Sequence, residues 1–142
     1  MDQETVLATL KHYLNTSDRR VAHEIYHEDA VLEFPQSGER FDGVENFKHW
    51  RAEYPAKVEF ELDRIRGRDD LWIAEARVRY NQGPWGYGVS ILEFRGDKVA
   101  HETIYGGEAW EAPQWRAQWR AAPPHEQGNE PARQTTADAD GA

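Results

Sequence analysis

The chain has 142 residues, 39% of them hydrophobic, enough to bury one core but hardly two. Its 26 acidic residues against 17 basic ones give a net charge of -9, which repels nucleic acid and anionic membrane surfaces and argues against polyanion binding. Cysteine is absent, so disulfides, thiolate nucleophiles and sulfur-based zinc sites are excluded.

The opening Met-Asp-Gln-Glu has no basic and apolar signal pattern, and no run of about eighteen apolar residues occurs. A cytoplasmic protein that neither spans nor binds a membrane is the expectation. Val6, Leu7, Leu10, Tyr13 and Leu14 recur at three- and four-residue steps and predict a helix over 3–14. Oxygen-bearing side chains at Asn15-Thr16-Ser17-Asp18 stop it and cap a second helix whose Val21, Ala22, Ile25 and Tyr26 share a face. Ala30 to Phe34 is a β-prone run closed by Pro35, and the turn chemistry of 36–39 makes it a hairpin with Arg40-Phe41. After Gly43, Val44, Phe47, Trp50, Arg51 and Tyr54 fit a third helix that Pro55 ends.

From Lys57 to Tyr105 the period changes to two, in four segments separated by turns at 67–70, 81–84 and 95–97. Val58, Phe60 and Leu62 alternate with Glu59, Glu61 and Asp63, so the predicted antiparallel sheet has one dry face that needs a helical cover. Gly83, Gly86 and Gly88 read as sheet curvature; they do not join a strand to a helix and so make no phosphate loop. Pro113 can start a helix carrying Trp115 and Trp119, which with Trp110 should be buried against the domain or a dimer mate. The fold class is therefore α+β, with one domain over 1–121 and a disordered acidic tail over 122–142, where four acids face one arginine.

Helix, helix, hairpin, helix and four-strand meander is an element order that resembles the nuclear transport factor 2-like superfamily. Tyr26-His27-Glu28-Asp29-Ala30-Val31, Phe41-Asp42-Gly43-Val44-Glu45-Asn46-Phe47 and Phe94-Arg95-Gly96-Asp97-Lys98-Val99 are similar to its first strand, third-helix entry and last hairpin. Together they look most like the SnoaL-like, polyketide cyclase-like branch, over roughly residues 3 to 110. The resemblance implies a cone-shaped, cystatin-like fold: a curved antiparallel sheet around the N-terminal helices, a conical pocket, and a homodimer through the outer sheet face. The steroid isomerase relatives imply a carboxylate base where this chain has Phe34, and donors where it has Leu10 and Ser90, which disfavours their chemistry. No strand carries the arginine and aspartate pair that the epoxide hydrolase relatives need.

SnoaL-like cyclases place inward polar groups two apart on the last strand, and their phase would put Ala100, Glu102 and Ile104 inside. Glu102 is then the leading catalytic candidate, since apolar walls disfavour its charged form and fit it for moving a proton. In the opposite phase Glu102 faces outward and His101 and Tyr105 enter the pocket, with His101 able to act as acid or base. Both phases stand at this point. Phe34, Phe47, Trp50, Tyr54, Trp72, Tyr80 and Phe94 would line the cone if each element keeps its apolar phase inward, with Ser90 and Ile104 on the inner strand faces. Tyr13, Tyr54 and Tyr80 could turn hydroxyls to a ligand carbonyl. His12, His23, His27 and His49 read as surface residues, and no histidine pair has a metal spacing, so neither metal nor cofactor is expected. Two functions follow: a cofactor-independent isomerase, cyclase or dehydratase on a small hydrophobic carbonyl compound, or a non-catalytic ligand-binding or dimeric scaffold module.

Overall fold

Helix α1 (Gln3–Asn15) starts where the Asp2 carboxylate accepts from the Thr5 backbone N–H at 2.8 Å, satisfying one of the free donors every helix start presents. The computed structural model describes residues 1–122 together with Gln134–Thr135 and Ala139–Asp140. Asp18 caps α2 (Arg19–Ala22) in the same way. This helix is shorter than its apolar face suggests, for the chain tightens into a 3-10 turn over His23–Ile25 and enters β1 (Tyr26–Phe34) at once. Tyr26, predicted on the helix, thus becomes the first strand residue.

The expected hairpin joins β1 to β2 (Glu39–Asp42), with Gly38 at φ 76 in its turn. Gly43, at φ 89, leads into α3 (Val44–Ala52), and its N–H reaches back to the Ala30 carbonyl at 2.8 Å. The meander follows as β3 (Lys57–Arg68), β4 (Leu71–Tyr80), β5 (Gly86–Arg95) and β6 (Lys98–Glu108). The strands lie in the order β2-β1-β6-β5-β4-β3, antiparallel except for β1 and β6, which run parallel. The result is the curved, unclosed sheet expected, with the helices at its N-terminal side. Val6, Leu32, Phe47, Leu92, Val58 and Val99 are the largest side chains fully removed from water, and all but Val58 belong to the one core cluster that joins helices and sheet.

Two short strands, β7 (Gln134–Thr135) and β8 (Ala139–Asp140), pair with the free edge of β3. The rest of the expected tail lies outside the described residues. Pro113 does precede a helical segment, a 3-10 helix over Gln114–Trp119. Docking on its own domain does not occur, because Trp110, Trp115 and Trp119 are 85%, 73% and 71% exposed.

Candidate functional site

Inside the sheet lies a cavity of about 740 Å³, within the usual size of small-molecule sites. Leu10 and Leu14 of α1 form one wall. Phe60, Ala74, Ala76 and Leu92 form the facing sheet wall. The small side chains Ala74, Ala76, Gly88 and Ser90 leave room where larger ones would fill the core. At the rim, Gln36 clasps the end of β6 by donating to the Gly106 carbonyl at 2.7 Å and accepting from its N–H at 2.8 Å.

The cavity floor is polar. Glu102, 7% exposed, accepts from the Tyr26 hydroxyl at one carboxylate oxygen and from the Ser90 hydroxyl at the other. Arg51, 2% exposed, brings its Nη2 to 3.9 Å from Glu102 and donates from Nη1 to the Tyr26 oxygen at 3.3 Å. Nη1 also faces His23 Nε2 at 3.3 Å, while His23 Nδ1 lies 2.7 Å from the Arg19 carbonyl. Burial, together with the Arg51 charge, lowers the His23 pKa to about 4. Burial and the neighbouring Glu102 charge push the Tyr26 hydroxyl well above the ordinary phenol range. Burial opposes the charge on Arg51, but the phenols of Tyr13 and Tyr26 and the Glu102 carboxylate outweigh it and hold the guanidinium protonated. Tyr13, 7% exposed and bordering the cavity, has a buried hydroxyl without a hydrogen-bond partner.

Of the residues expected at the site, Glu102, Phe34, Tyr80, Ser90 and Ile104 border the cavity. His101 does not: it lies on the outer face, with Nε2 2.9 Å from Glu33 and Nδ1 3.6 Å from Glu93. Phe47 is fully buried beneath Tyr26, ring centres 5.0 Å apart. Trp50 packs beside Phe34 and Phe41 at 5.9 and 5.4 Å, and Tyr54 joins Trp50 to Tyr80 at 6.4 and 6.0 Å. Trp72 is buried where its indole donates to the Asp69 carbonyl at 3.0 Å, and Phe94 pairs with Val99 in the core. These aromatics satisfy the apolar phase, but Phe47, Trp50 and Tyr54 pack against other rings, and Trp72 and Phe94 sit in the core, none of the five bordering the cavity.

Sequence reasoning missed Tyr26, Arg51 and His23 as a unit. His23, expected at the surface, is 3% exposed. The available signal was an arginine in the apolar face of α3, which a buried position tolerates only when partners satisfy it. Among the described residues no cluster suits a metal ion.

The open, curved sheet with helices over a lined hollow places the protein among nuclear transport factor 2-like folds. Residues 7–102 match the SnoaL-like domain, about two thirds of the chain, and the chain belongs to that family. It is similar to an NTF-2-like protein of unknown function from Burkholderia xenovorans LB400, at 40% identity over 84% of this chain and 96% of that one, with a TM-score of 0.75. A candidate ketosteroid isomerase from Kribbella flavida shares 24% identity over 87% and 93% of the two chains, TM-score 0.74. An LEH-like epoxide hydrolase from Mycobacterium tuberculosis shares 15% over 74% and 81%, TM-score 0.60, a likeness of fold alone. No curated protein matches the chain.

Proposed function

We propose that this SnoaL-like protein takes a small hydrophobic carbonyl compound into its cavity and moves a proton on it, as a cofactor-independent isomerase, cyclase or dehydratase. The observation that carries this reading is a carboxylate, Glu102, set on the floor of a largely apolar hollow. Tyr26 and Ser90 hold its orientation. Rotation of the buried, unpartnered Tyr13 hydroxyl into the cavity would supply a donor for the ligand's carbonyl oxygen, where an oxyanion would develop as Glu102 withdraws a proton from the adjacent carbon. Glu102 then returns that proton at a second position or to a leaving group.

Glu102→Gln tests the assignment, because it keeps the shape and removes the base. Turnover of the substrate should fall by at least about a hundredfold, with thermal unfolding still cooperative; unchanged turnover overturns it. A second reading, a non-catalytic binding module, is favoured by both Glu102 oxygens already accepting from hydroxyls, which leaves neither oxygen free to approach a ligand proton without giving up a partner. Recovery of a bound compound chemically unchanged, after long incubation and identified by mass spectrometry, decides for that reading.

The same proposal includes a homodimer in the cytoplasm. Ile73 of β4 and Ile91 of β5 pair across the strands with Val89 two residues on, giving the outer face an apolar strip suited to a second copy. Among the described residues no helix is long and apolar enough to cross a membrane.

A further inference from the structure

The structure assigns His23 as a positioning residue that aims Arg51 at the Tyr26–Glu102 pair, an inference that rests on the floor cluster being the working site. His23 touches no cavity space. Its effect passes through the guanidinium.

One geometric fact fixes the tautomer. Nδ1 lies 2.7 Å from the Arg19 carbonyl, which can only accept, so Nδ1 carries the proton and donates. That leaves a lone pair on Nε2, and the group facing it at 3.3 Å is Arg51 Nη1, which can only donate. The other tautomer would oppose two donors at the second contact and two acceptors at the first. Ring rotation is blocked as well: His23 stacks on Tyr26 at 5.7 Å and 28° and meets the Tyr13 ring edge-on at 5.2 Å and 76°.

Arg51 depends on this acceptor. Rings of Phe47 and Trp50 lie 5.2 and 5.7 Å from its guanidinium and offer no lone pairs, and the Tyr13 ring lies 5.6 Å away with its hydroxyl making no hydrogen bond. Its buried Nε has no hydrogen-bond partner. The oxygens it can reach belong to Tyr26 and Glu102, at 3.3 and 3.9 Å. With His23 in place, Nη1 is shared between the imidazole and Tyr26 while Glu102 receives its closest proton from Tyr26. Without that acceptor the guanidinium is drawn toward Glu102, and the hydroxyl that orients the carboxylate is displaced.

His23→Phe keeps a flat ring but removes the acceptor; His23→Gln restores one at the Nε2 position. Three measurements on the full chain separate a positioning role from a merely structural one. Nitrogen-15 NMR of the wild-type imidazole at pH 7 should show a protonated Nδ1 and a bare Nε2. Carbon-13 NMR of the Glu102 carboxyl, and the exchange-protected Arg51 side-chain protons, should shift or vanish in His23→Phe and return in His23→Gln. The dissociation constant of a neutral aromatic ketone, 2-acetylnaphthalene, should rise about tenfold in His23→Phe, the loss of one oriented polar contact. An Nε2-protonated ring, or Glu102 and Arg51 signals equal in wild type and His23→Phe, overturns the assignment. If His23→Phe does not fold, the wild-type tautomer and the His23→Gln spectrum still distinguish the two outcomes. Failure of the wild type to bind the ketone would count against the pocket reading alone, because the spectra need no ligand.

Discussion

A buried histidine that stays neutral makes the protein sensitive to acid in a defined window. Unfolded, His23 binds a proton below about pH 6.5, whereas folded it resists until about pH 4, with Arg51, Arg19 and Lys48 as nearby cations opposing the charge. The unfolded chain therefore takes up a proton that the folded chain refuses, and stability is greatest above 6.5 and declines as pH falls toward 4. The window of about 2.5 units corresponds to roughly 3 kcal/mol, a large part of the 5–15 kcal/mol typical of a domain. Urea unfolding at pH 7 and at pH 4.5 should show the wild type losing more stability than His23→Gln; equal losses would mean that another group sets the acid limit. None of this was legible from His23 alone, which sits among polar neighbours. What makes it a core residue is the buried Arg51 on α3, with β1 and β2 between them in sequence, and long-range pairing of that kind leaves no local period.

Strand phase decides which side chains reach the cavity, and here the elements show both what sequence periodicity can give and where it stops. On β5, strict alternation holds, so Ser90, Leu92 and Phe94 all face inward as their pattern implies. On β6 it does not. Phe94 pairs with Val99 and Glu93 with His101, leaving Ala100 as an extra residue. Val99 and Glu102 are consequently both inward although three positions apart, and counting by twos from Val99 would have put His101 inside. A bulge at Asp63 has the same effect on β3, turning Ile65 inward after Leu62. The rim of the cavity depends on a different feature, close backbone contact. A Cβ on Gly86 would lie 2.6 Å from the Gly107 carbonyl oxygen, whereas one on Gly107 would meet nothing within 4 Å. Gly86→Ala should therefore force the β5–β6 ladder apart and destabilise by about 1–3 kcal/mol, while Gly107→Ala stays near neutral. Thermal melts of the two variants make the comparison directly, and equal melting temperatures would refute it.

At the scale of the whole molecule, the exposed tryptophans are the feature a single copy does not explain. Trp110, Trp115 and Trp119 follow on β6, the strand whose Tyr105, with Tyr87 on β5, is at the cavity mouth and part-exposed, at 43% and 56%. A tryptophan buries up to about 250 Å², so three of them approach the roughly 800 Å² per partner of a standard interface. Charge favours the same arrangement: residues 109–122 carry Arg116 and Arg120 against Glu111 in a chain of net charge -9, so the segment is attracted to the acidic body of a second copy. The sequence held the demand for burial in its tryptophan spacing, but it could not say whether the cover comes from the same copy. Light scattering at micromolar concentration should give a dimer held by the outer sheet face and this segment together, and replacing the three tryptophans by alanine should raise its dissociation constant with the far-ultraviolet dichroism retained. Tryptophan emission should be blue-shifted in the dimer and move to the red as dilution dissociates it. A monomeric wild type, or a triple variant as dimeric as the wild type, would show that these side chains have another purpose.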